Sequence, residues 1–293
     1  MTRITITHAT IYRYRAPVKP GPHRLMLRPR ETQDLALRSF DLQIAPTARI
    51  DWSHDVAGNA IAAASFDATT DTLLIRSVTT VDLTAPAWPV FPIAASAASY
   101  PFIYSDADWT DLGALSKPQY VDDAGRLSTW VEQFVMNRPT DTLSLLKDIS
   151  TGIGAQIAYE IRDAEGTQGP LDTIDLGFGS CRDFAVLLAD AVRTLGLGAR
   201  LVSGYLYDPA GDQLGSAAAG STHAWVEVYV PGAGWIPFDP TNMSMGSAHL
   251  IPVAVARDIS QITPVIGSFQ GENGDLIALD VTVRVEDERF RRE

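Results

Sequence analysis

The spacing of apolar residues changes twice along this chain, and these changes limit the secondary structure that it can form. In residues 1–85, β-forming residues alternate with polar ones, and turn signals such as the stretch 55–59 separate the runs. From about residue 122, apolar residues recur at helical spacing, and after residue 199 the alternation returns. The pattern predicts an α+β protein that begins with a β-sandwich and continues with helices and an antiparallel sheet.

The same spacing predicts the individual elements. The strands of the amino-terminal part are predicted in the first run of β-forming residues, which contains Ile4, Ile6 and Ile11, and at 37–44, 60–66 and 72–83. The helices are predicted from about residue 122 to Pro139, over 142–157, and from Cys181 to the glycines at 196 and 198. The later strands are predicted at 199–207, 223–230, 235–238 and 279–285. A turn at 231–234 joins the second and third of these later strands in a hairpin.

A stretch punctuated by prolines, with little periodicity, separates the two parts of the chain. We therefore expect a β-sandwich domain at 1–85, a linker at 86–118 that packs on the surface, and a second domain at 119–293. The carboxy-terminal strands are assigned to this second domain.

Composition excludes several functional classes. The chain has 35 acidic and 23 basic residues among 293, a formal net charge of −12. Without a basic stripe, nucleic-acid binding is not expected, since phosphate contacts dominate that affinity. The acidity is interpreted as a solubility feature, with a preference for cationic substrates as the alternative. No apolar run is long enough for a membrane span, and no signal-peptide pattern opens the chain. A single cysteine can form no internal disulfide, and a cytoplasmic location is expected.

That single cysteine, Cys181, follows a Gly-Phe-Gly-Ser stretch and opens a predicted helix. Ser180 fits the cap position, and Asp183 lies three residues later, an acidic variant of the capping box. The thiol would then lie near unpaired backbone N–H groups and the positive end of the helix dipole, which favour the thiolate. The N–H of Cys181 could also donate to an oxyanion. The alternative is a buried cysteine that serves as a small hydrophobe.

A histidine and an aspartate follow at the ends of predicted strands. His223 opens the first strand of the predicted hairpin, and Asp239 ends the second. A helix start that meets these strand ends could bring thiol, imidazole and carboxylate together, the arrangement that nucleophilic catalysis by cysteine requires. Taken singly, His223 could be a structural histidine and Asp239 a turn residue before proline.

Three motifs in this order resemble those of the bacterial transglutaminase-like family of cysteine proteases: G-S-C-R-D-F-A, H-A-W-V-E-V-Y and G-W-I-P-F-D-P-T-N. Near the amino terminus, I-T-H-A-T-I-Y-R-Y and G-P-H-R-L-M-L-R-P-R resemble the β domain of that family. The resemblance implies a papain-like core at 119–293, with Cys181 as nucleophile, His223 as base and Asp239 as orienting acid. It also implies acyl transfer at an amide through a thioester.

Further residues are assigned by their position around these motifs. Tyr159 and Trp225 are candidates for substrate binding or for the oxyanion site, and a core tyrosine is the alternative for Tyr159. Arg182 and Asp183 are assigned local roles in charge pairing and helix capping. The loop 211–221, rich in Gly, Ala and Ser, leads into His223 and is predicted to gate the site, with an ordinary surface loop as the alternative.

Three functions are consistent with these residues. The first is a thiol-dependent amide or peptide hydrolase, the second a transglutaminase that passes the acyl group to an amine, and the third a non-catalytic binding module. A protein or peptide substrate is expected, and no cofactor. No residue pattern predicts a metal site, and the sequence does not indicate an oligomeric state.

Overall fold

The computed structural model describes residues 1–161, 166–208, 221–272 and 274–290. Its α-helices are α1 (Asp106–Leu112), α2 (Arg126–Glu132), α3 (Thr142–Gln156), α4 (Pro170–Leu176) and α5 (Cys181–Thr194). Its strands are β1 (Thr2–Pro20), β2 (His23–Leu25), β3 (Leu35–Ala45), β4 (Ala48–His54), β5 (Ala60–Phe66), β6 (Thr70–Leu83), β7 (Ser99–Tyr100), β8 (Thr140–Asp141), β9 (Ala158–Tyr159), β10 (Phe178–Gly179), β11 (Ala199–Leu206), β12 (Ser221–Val230), β13 (Gly234–Asp239), β14 (Ser244–Met245), β15 (Leu250–Ala256), β16 (Val265–Ile266), β17 (Phe269–Gln270) and β18 (Leu276–Asp287). Within these residues, no helix combines the length and the apolar character needed to cross a membrane.

The amino-terminal strands form a sandwich of two antiparallel sheets. In the first sheet the strand order is β17-β1-β6-β3, with β18 also paired to β1, and in the second it is β16-β2-β5-β4. Tyr14, Leu25, Phe66 and Leu73 are among the buried residues of the core between the sheets, which we call the sandwich core. The predicted β-sandwich and the α+β class are confirmed.

A second unit, built from one sheet and the helices, contains most of the larger hydrophobic core of the molecule. Its sheet, here called the central sheet, has the antiparallel order β14-β13-β12-β11-β15. Helix α5 packs on it, and Phe184 and Val226 are buried together in what we call the main core. The predicted hairpin is confirmed by the pairing of Val230 with Gly234 across the β12–β13 turn. Gly232 and Gly234 have φ angles of 86° and 74°, which only glycine adopts readily.

Helices α1 and α4 have no counterpart in the sequence interpretation, and α2 is shorter than predicted. Each of α1 and α4 has seven residues, about two turns, so apolar spacing gives almost no repeat to detect. Other signals mark α4, because Pro170 is its first residue and Gly177, with a φ of 70°, ends it. Helix α2 ends at Glu132, where the chain turns and the Phe134 ring packs 5.1 Å from that of Trp130.

The last strand, β18, pairs with the first strand along almost its entire length. The register runs from Ile4 opposite Asp287 to Tyr14 opposite Leu276. The sequence interpretation grouped this strand with residues 119–293, because pairing between distant segments leaves no local signal. The boundaries at 1–85, 86–118 and 119–293 stay a prediction, and α1 lies within the middle segment.

One face of β1 contributes side chains to both the main core and the sandwich core. Residues at even positions from 4 to 12 lie on the same face of the strand. Ile4 and Ile6 are buried in the main core, whereas Tyr12 packs against the sandwich core. His8 and Thr10 lie between the two cores and are only 1% and 2% exposed.

His8 ties the sandwich to the central sheet. Its Nδ1 lies 3.0 Å from the hydroxyl of Tyr205 on β11, and its Nε2 lies 3.2 Å from Oγ1 of Thr10. Burial lowers the pKa of His8 to about 4, so the ring is neutral near neutral pH.

This neutral, buried histidine makes stability depend on pH. Because the folded-state pKa of about 4 is below the ordinary value of 6.5, the unfolded chain binds the proton more tightly, and the free energy of unfolding falls as pH drops through this interval. The loss due to His8 is on the order of 3 kcal/mol. Urea unfolding of the wild type and of His8→Gln at about pH 7 and about pH 4.5 measures it. The stability difference between the two proteins should shrink at the lower pH, and a constant difference would contradict the buried neutral ring.

Candidate active site

The start of α5 is fixed by a capping carboxylate. Oδ2 of Asp183, fully buried, accepts hydrogen bonds from both the N–H and the hydroxyl of Ser180, each at 2.8 Å. Its Oδ1 accepts from the N–H of Gln168 at 2.7 Å. A side chain at Gly179 would come within 2.9 Å of the Asp183 Cβ, so glycine is required there. Cys181, partly exposed, is thereby held as the first residue of a 14-residue helix, as the sequence predicts.

His223 and Asp239 meet beside this thiol. The ring Nε2 of His223 lies 2.8 Å from Oδ2 of Asp239, and the two residues are only 5% and 1% exposed. Cys181 lines the same cleft as His223 and acts electrostatically on its imidazole. Since Asp239 occupies Nε2, the Nδ1 atom is the ring nitrogen that is left for an interaction with the thiol. The structure therefore places the predicted nucleophile beside a hydrogen-bonded pair formed by His223 and Asp239.

The surroundings of His223 favour its protonated form. Burial by itself lowers the pKa of the ring, but the hydrogen bonds and negative charges of Asp239 and Cys181 outweigh it and raise the pKa to about 9. An imidazolium beside a sulfur atom stabilises a thiolate, the reactive form of cysteine. The site is thus electrostatically suited to hold a thiolate–imidazolium pair.

Asn242 orients the carboxylate and was missed by the sequence interpretation. Its side-chain Nδ2 donates to Oδ2 of Asp239 at 2.7 Å, and its backbone N–H donates to Oδ1 at 3.3 Å. The N–H of Thr241 donates to Oδ1 at 3.0 Å. Burial opposes ionisation of Asp239, but the bonds from His223 and Asn242 hold its pKa below the usual range. An aspartate that accepts from backbone N–H groups two and three residues later is typical of a turn, so the stretch Asp-Pro-Thr-Asn carried a usable signal.

The ring of Trp225 lies next to that of His223. Trp225 is 1% exposed and is not among the residues that line the cleft. Its ring is roughly parallel to that of His223, at 26°, with the centroids 6.1 Å apart. Gly204, which pairs with His223 across β11 and β12, leaves room for the indole. A Cβ at Gly204 would lie 2.7 Å from Cη2 of Trp225 and 2.2 Å from the carbonyl oxygen of Ile251. Trp225 therefore contacts the candidate base, and no cleft-lining atom of it is available to a substrate.

Tyr159 and Arg182 face open space beside the thiol. Tyr159 is 50% exposed, so it is not a core tyrosine, and its ring lies 6.2 Å from that of Phe184. Burial and the charges of Cys181 and Asp239 raise the pKa of its hydroxyl. Arg182 is partly exposed and, among the described residues, forms neither a hydrogen bond nor an ion pair, so the expected charge pairing is not seen there.

A cleft of about 560 Å³ opens over Cys181 at the junction of the two cores. Its lining includes Tyr159, Ile161, Ser180, Cys181, Arg182 and His223. It also includes His8, Thr10 and Tyr12 of β1 and Leu279 and Val281 of β18. The sandwich thus forms part of the same cavity as the candidate catalytic residues.

Comparison with known families assigns both parts of the chain. The bacterial transglutaminase-like N-terminal region matches residues 4–82. The transglutaminase-like superfamily matches residues 128–240, the segment that holds Cys181, His223 and Asp239. Residues 128–240 are therefore a transglutaminase-like core, and residues 4–82 are a bacterial transglutaminase-like N-terminal region. The resemblance inferred from its motifs is confirmed.

Relatives of this transglutaminase-like chain extend over most of its length. An uncharacterized protein of Mycobacterium tuberculosis is 28% identical over 298 residues, which covers 97% of this chain and 92% of the relative. An uncharacterized protein of Mycobacterium leprae is 34% identical over 115 residues, which covers 39% of this chain and only 40% of the relative. A crystal structure of a protein from Cytophaga hutchinsonii, described as a candidate cysteine protease, superposes with a TM-score of 0.75 at 20% identity. It covers 98% of this chain and 91% of its own, which shows a common fold.

Two further sequence predictions concern the loop before His223 and metal binding. The predicted gating loop at 211–221 lies outside the described residues except for its last position, so its role stays a prediction. In the described ranges, no group of three or more His, Cys, Asp or Glu side chains is arranged to hold a metal ion.

Proposed function

We propose that this chain is a cysteine-type hydrolase of amide or peptide bonds that works by acyl transfer through Cys181, His223 and Asp239. The observation that supports this most strongly is the buried His223–Asp239 hydrogen bond of 2.8 Å beside a thiol at the start of α5. This bond, and the position of Cys181 in the same cleft, support the roles of nucleophile for Cys181, base for His223 and orienting acid for Asp239. The substrate is a protein or a peptide, and the lone thiol would remain reduced in the cytoplasm, which we retain as the proposed location.

The reaction follows from the order of these contacts. The Cys181 thiolate attacks the amide carbonyl carbon, and a C–S bond forms. The His223 imidazolium gives its proton to the amide nitrogen, the C–N bond breaks, and an amine leaves a thioester on the enzyme. Water then attacks the thioester while the neutral ring takes a proton, and the carboxylic acid departs as the thiolate is restored. The net change is amide plus water to acid plus amine.

The negative oxygen that develops in both steps needs hydrogen-bond donors. The backbone N–H of Cys181 is one of the first N–H groups of α5, which have no partner inside the helix. The hydroxyl of Tyr159, in the cleft beside the thiol, is our candidate for a second donor. Trp225 acts in this scheme through the position of the His223 ring.

A transglutaminase is the second candidate function. Over 89 residues the chain is 37% identical to a protein-glutamine gamma-glutamyltransferase of Pseudomonas aeruginosa, which covers 29% of this chain and 13% of that protein. The first half of the reaction would be the same. A primary amine would then attack the thioester in place of water, and the product would be a new amide.

A peptide-library assay with and without an added primary amine separates these functions. Mass spectrometry should detect new carboxylic acids that depend on Cys181, and amine adducts would dominate if the enzyme is a transglutaminase. Iodoacetamide labelling at about pH 5 provides an independent measure of thiolate, and fast labelling of Cys181 is expected because thiols react as thiolates. A protein that gives neither product, and in which Cys181 is labelled only after denaturation, would be a binding module on this fold.

A further inference from the structure

Part of the cleft that contains the thiol is lined by two strands that are distant from Cys181 in sequence. Thr10 pairs with Val281, and Tyr12 pairs with Leu279, across β1 and β18. Residues opposite each other in an antiparallel pair point to the same face of the sheet. All four line the cleft that also contains Cys181. We call these four residues the sandwich wall.

The sandwich wall continues a buried apolar stripe into open space. The odd-numbered residues of β18 from 279 to 285 alternate onto one face. At one end Val285 is 1% exposed in the main core, and Val283 packs against that core. At the other end Leu279 and Val281 are 52% and 51% exposed. The stripe therefore leaves the core at the point where the cleft begins, and it presents apolar side chains that the described residues leave half exposed.

Other lining residues and the charges of the cleft agree with an apolar occupant. Ile161, which also lines the cleft, is 81% exposed. The described lining residues include the guanidinium of Arg182 and no carboxylate, so none of them offers an ion-pair partner to a cationic side chain. A cavity of about 560 Å³ is within the range of pockets that bind small molecules and short peptide segments.

We propose that the sandwich wall binds an apolar side chain of the acyl donor, close to the amide that Cys181 attacks. This inference rests on the proposed function, since the acyl donor is the substrate that must stay bound until the thioester has formed. The amino-terminal sandwich would then act in substrate selection. Covering Leu279 and Val281 removes apolar surface from water, and this supplies the binding energy.

Irreversible peptide probes test this proposal without knowledge of the natural substrate. The probes are dipeptidyl chloromethyl ketones of the form Xaa-Gly, in which Xaa is Leu, Phe, Ser or Lys, and intact-mass spectrometry follows alkylation of Cys181. The wild type should react about tenfold faster with the Leu and Phe probes than with the Ser and Lys probes, since one apolar side chain in a pocket gives discrimination of this order. The double variant Leu279→Gln, Val281→Thr should lose this preference.

Leu276→Gln is the matched control, because Leu276 is also an exposed leucine of β18, at 38%, and does not line the cleft. It should keep the wild-type preference. Iodoacetamide, which carries no peptide, should label Cys181 at the same rate in all these proteins. Rapid labelling by iodoacetamide without any preference among the peptide probes would overturn the role of the sandwich wall and leave the proposed function intact. Failure of iodoacetamide to label the native protein would instead contradict the proposed function.

Discussion

Cys181→Ala is expected to abolish turnover of any amide that the wild type cleaves. The chain has one cysteine, so no other thiol can form the thioester. Removal of the nucleophile from such a triad lowers kcat by about 10⁴-fold or more. The rate of product formation, measured at saturating peptide with wild-type and variant enzyme at equal concentration, provides the test.

Cys181→Ser should be nearly as inactive, because a serine hydroxyl is not ionised by a helix terminus near neutral pH. Both variants should remain folded, since Cys181 is only partly buried and its replacement leaves no large cavity. Circular dichroism and urea unfolding verify this point. Wild-type turnover by a folded Cys181→Ala protein would show that the thiol is structural, and the enzyme proposal would fail.

Asp239→Asn is expected to reduce kcat/KM by about 10²–10⁴-fold with the fold intact, by analogy with the loss of the correct tautomer in serine-type triads. The amide cannot accept the hydrogen bond from Nε2 of His223 in the same way and carries no charge to stabilise the imidazolium. Asp51→Asn is the control, because Asp51 is an exposed aspartate on β4 that pairs with Arg49. The control should retain wild-type kcat/KM.

The pH profile of Asp239→Asn should narrow from both sides. In the wild type, activity should fall as pH rises through about 9, where His223 loses its proton. Burial lowers the pKa of His223, and Asp239 raises it. Without Asp239 the pKa of His223 therefore falls, and the alkaline limb of the profile moves to lower pH. The ion pair then also forms less readily, and the acidic limb moves to higher pH. An unchanged bell-shaped profile would show that Asp239 does not act through His223.

The sequence predicts those parts of the site whose signals are local. Cys181 follows a cap residue and opens a helix with a clear apolar repeat, and His223 and Asp239 lie at the ends of strands joined by a tight turn. Each position can be inferred from its neighbours within a few residues. The contacts among the three required the fold, because a strand pattern alone does not say which helix terminus the strand will meet.

The parts that sequence could not supply depend on distant pairing. Nothing near Leu279 or Val281 in the sequence indicates that β18 lies beside β1, or that their apolar side chains border the cleft. His8 reads as an isolated histidine in a strand, and only the folded chain brings Tyr205 to its Nδ1 atom. Asn242 differs, since its turn signal was present and its contact with Asp239 follows from it.

The pairing of β18 with β1 also affects when, during translation, the surface proposed to select the substrate can form. Strand β1 is synthesised more than two hundred residues before β18. The pairing of Ile4 with Asp287 therefore cannot form until β18 has been made. A nascent chain that has emerged as far as β13 already contains the candidate nucleophile, base and acid. It lacks Leu279 and Val281. Peptides could therefore reach its thiol in the absence of the surface that we propose to select the acyl donor. Such long-range pairing also closes slowly, because contacts between distant segments carry a high loop-closure cost. If the sandwich wall selects the acyl donor as proposed, selectivity requires β18 and so arises after the nucleophile, base and acid have been synthesised.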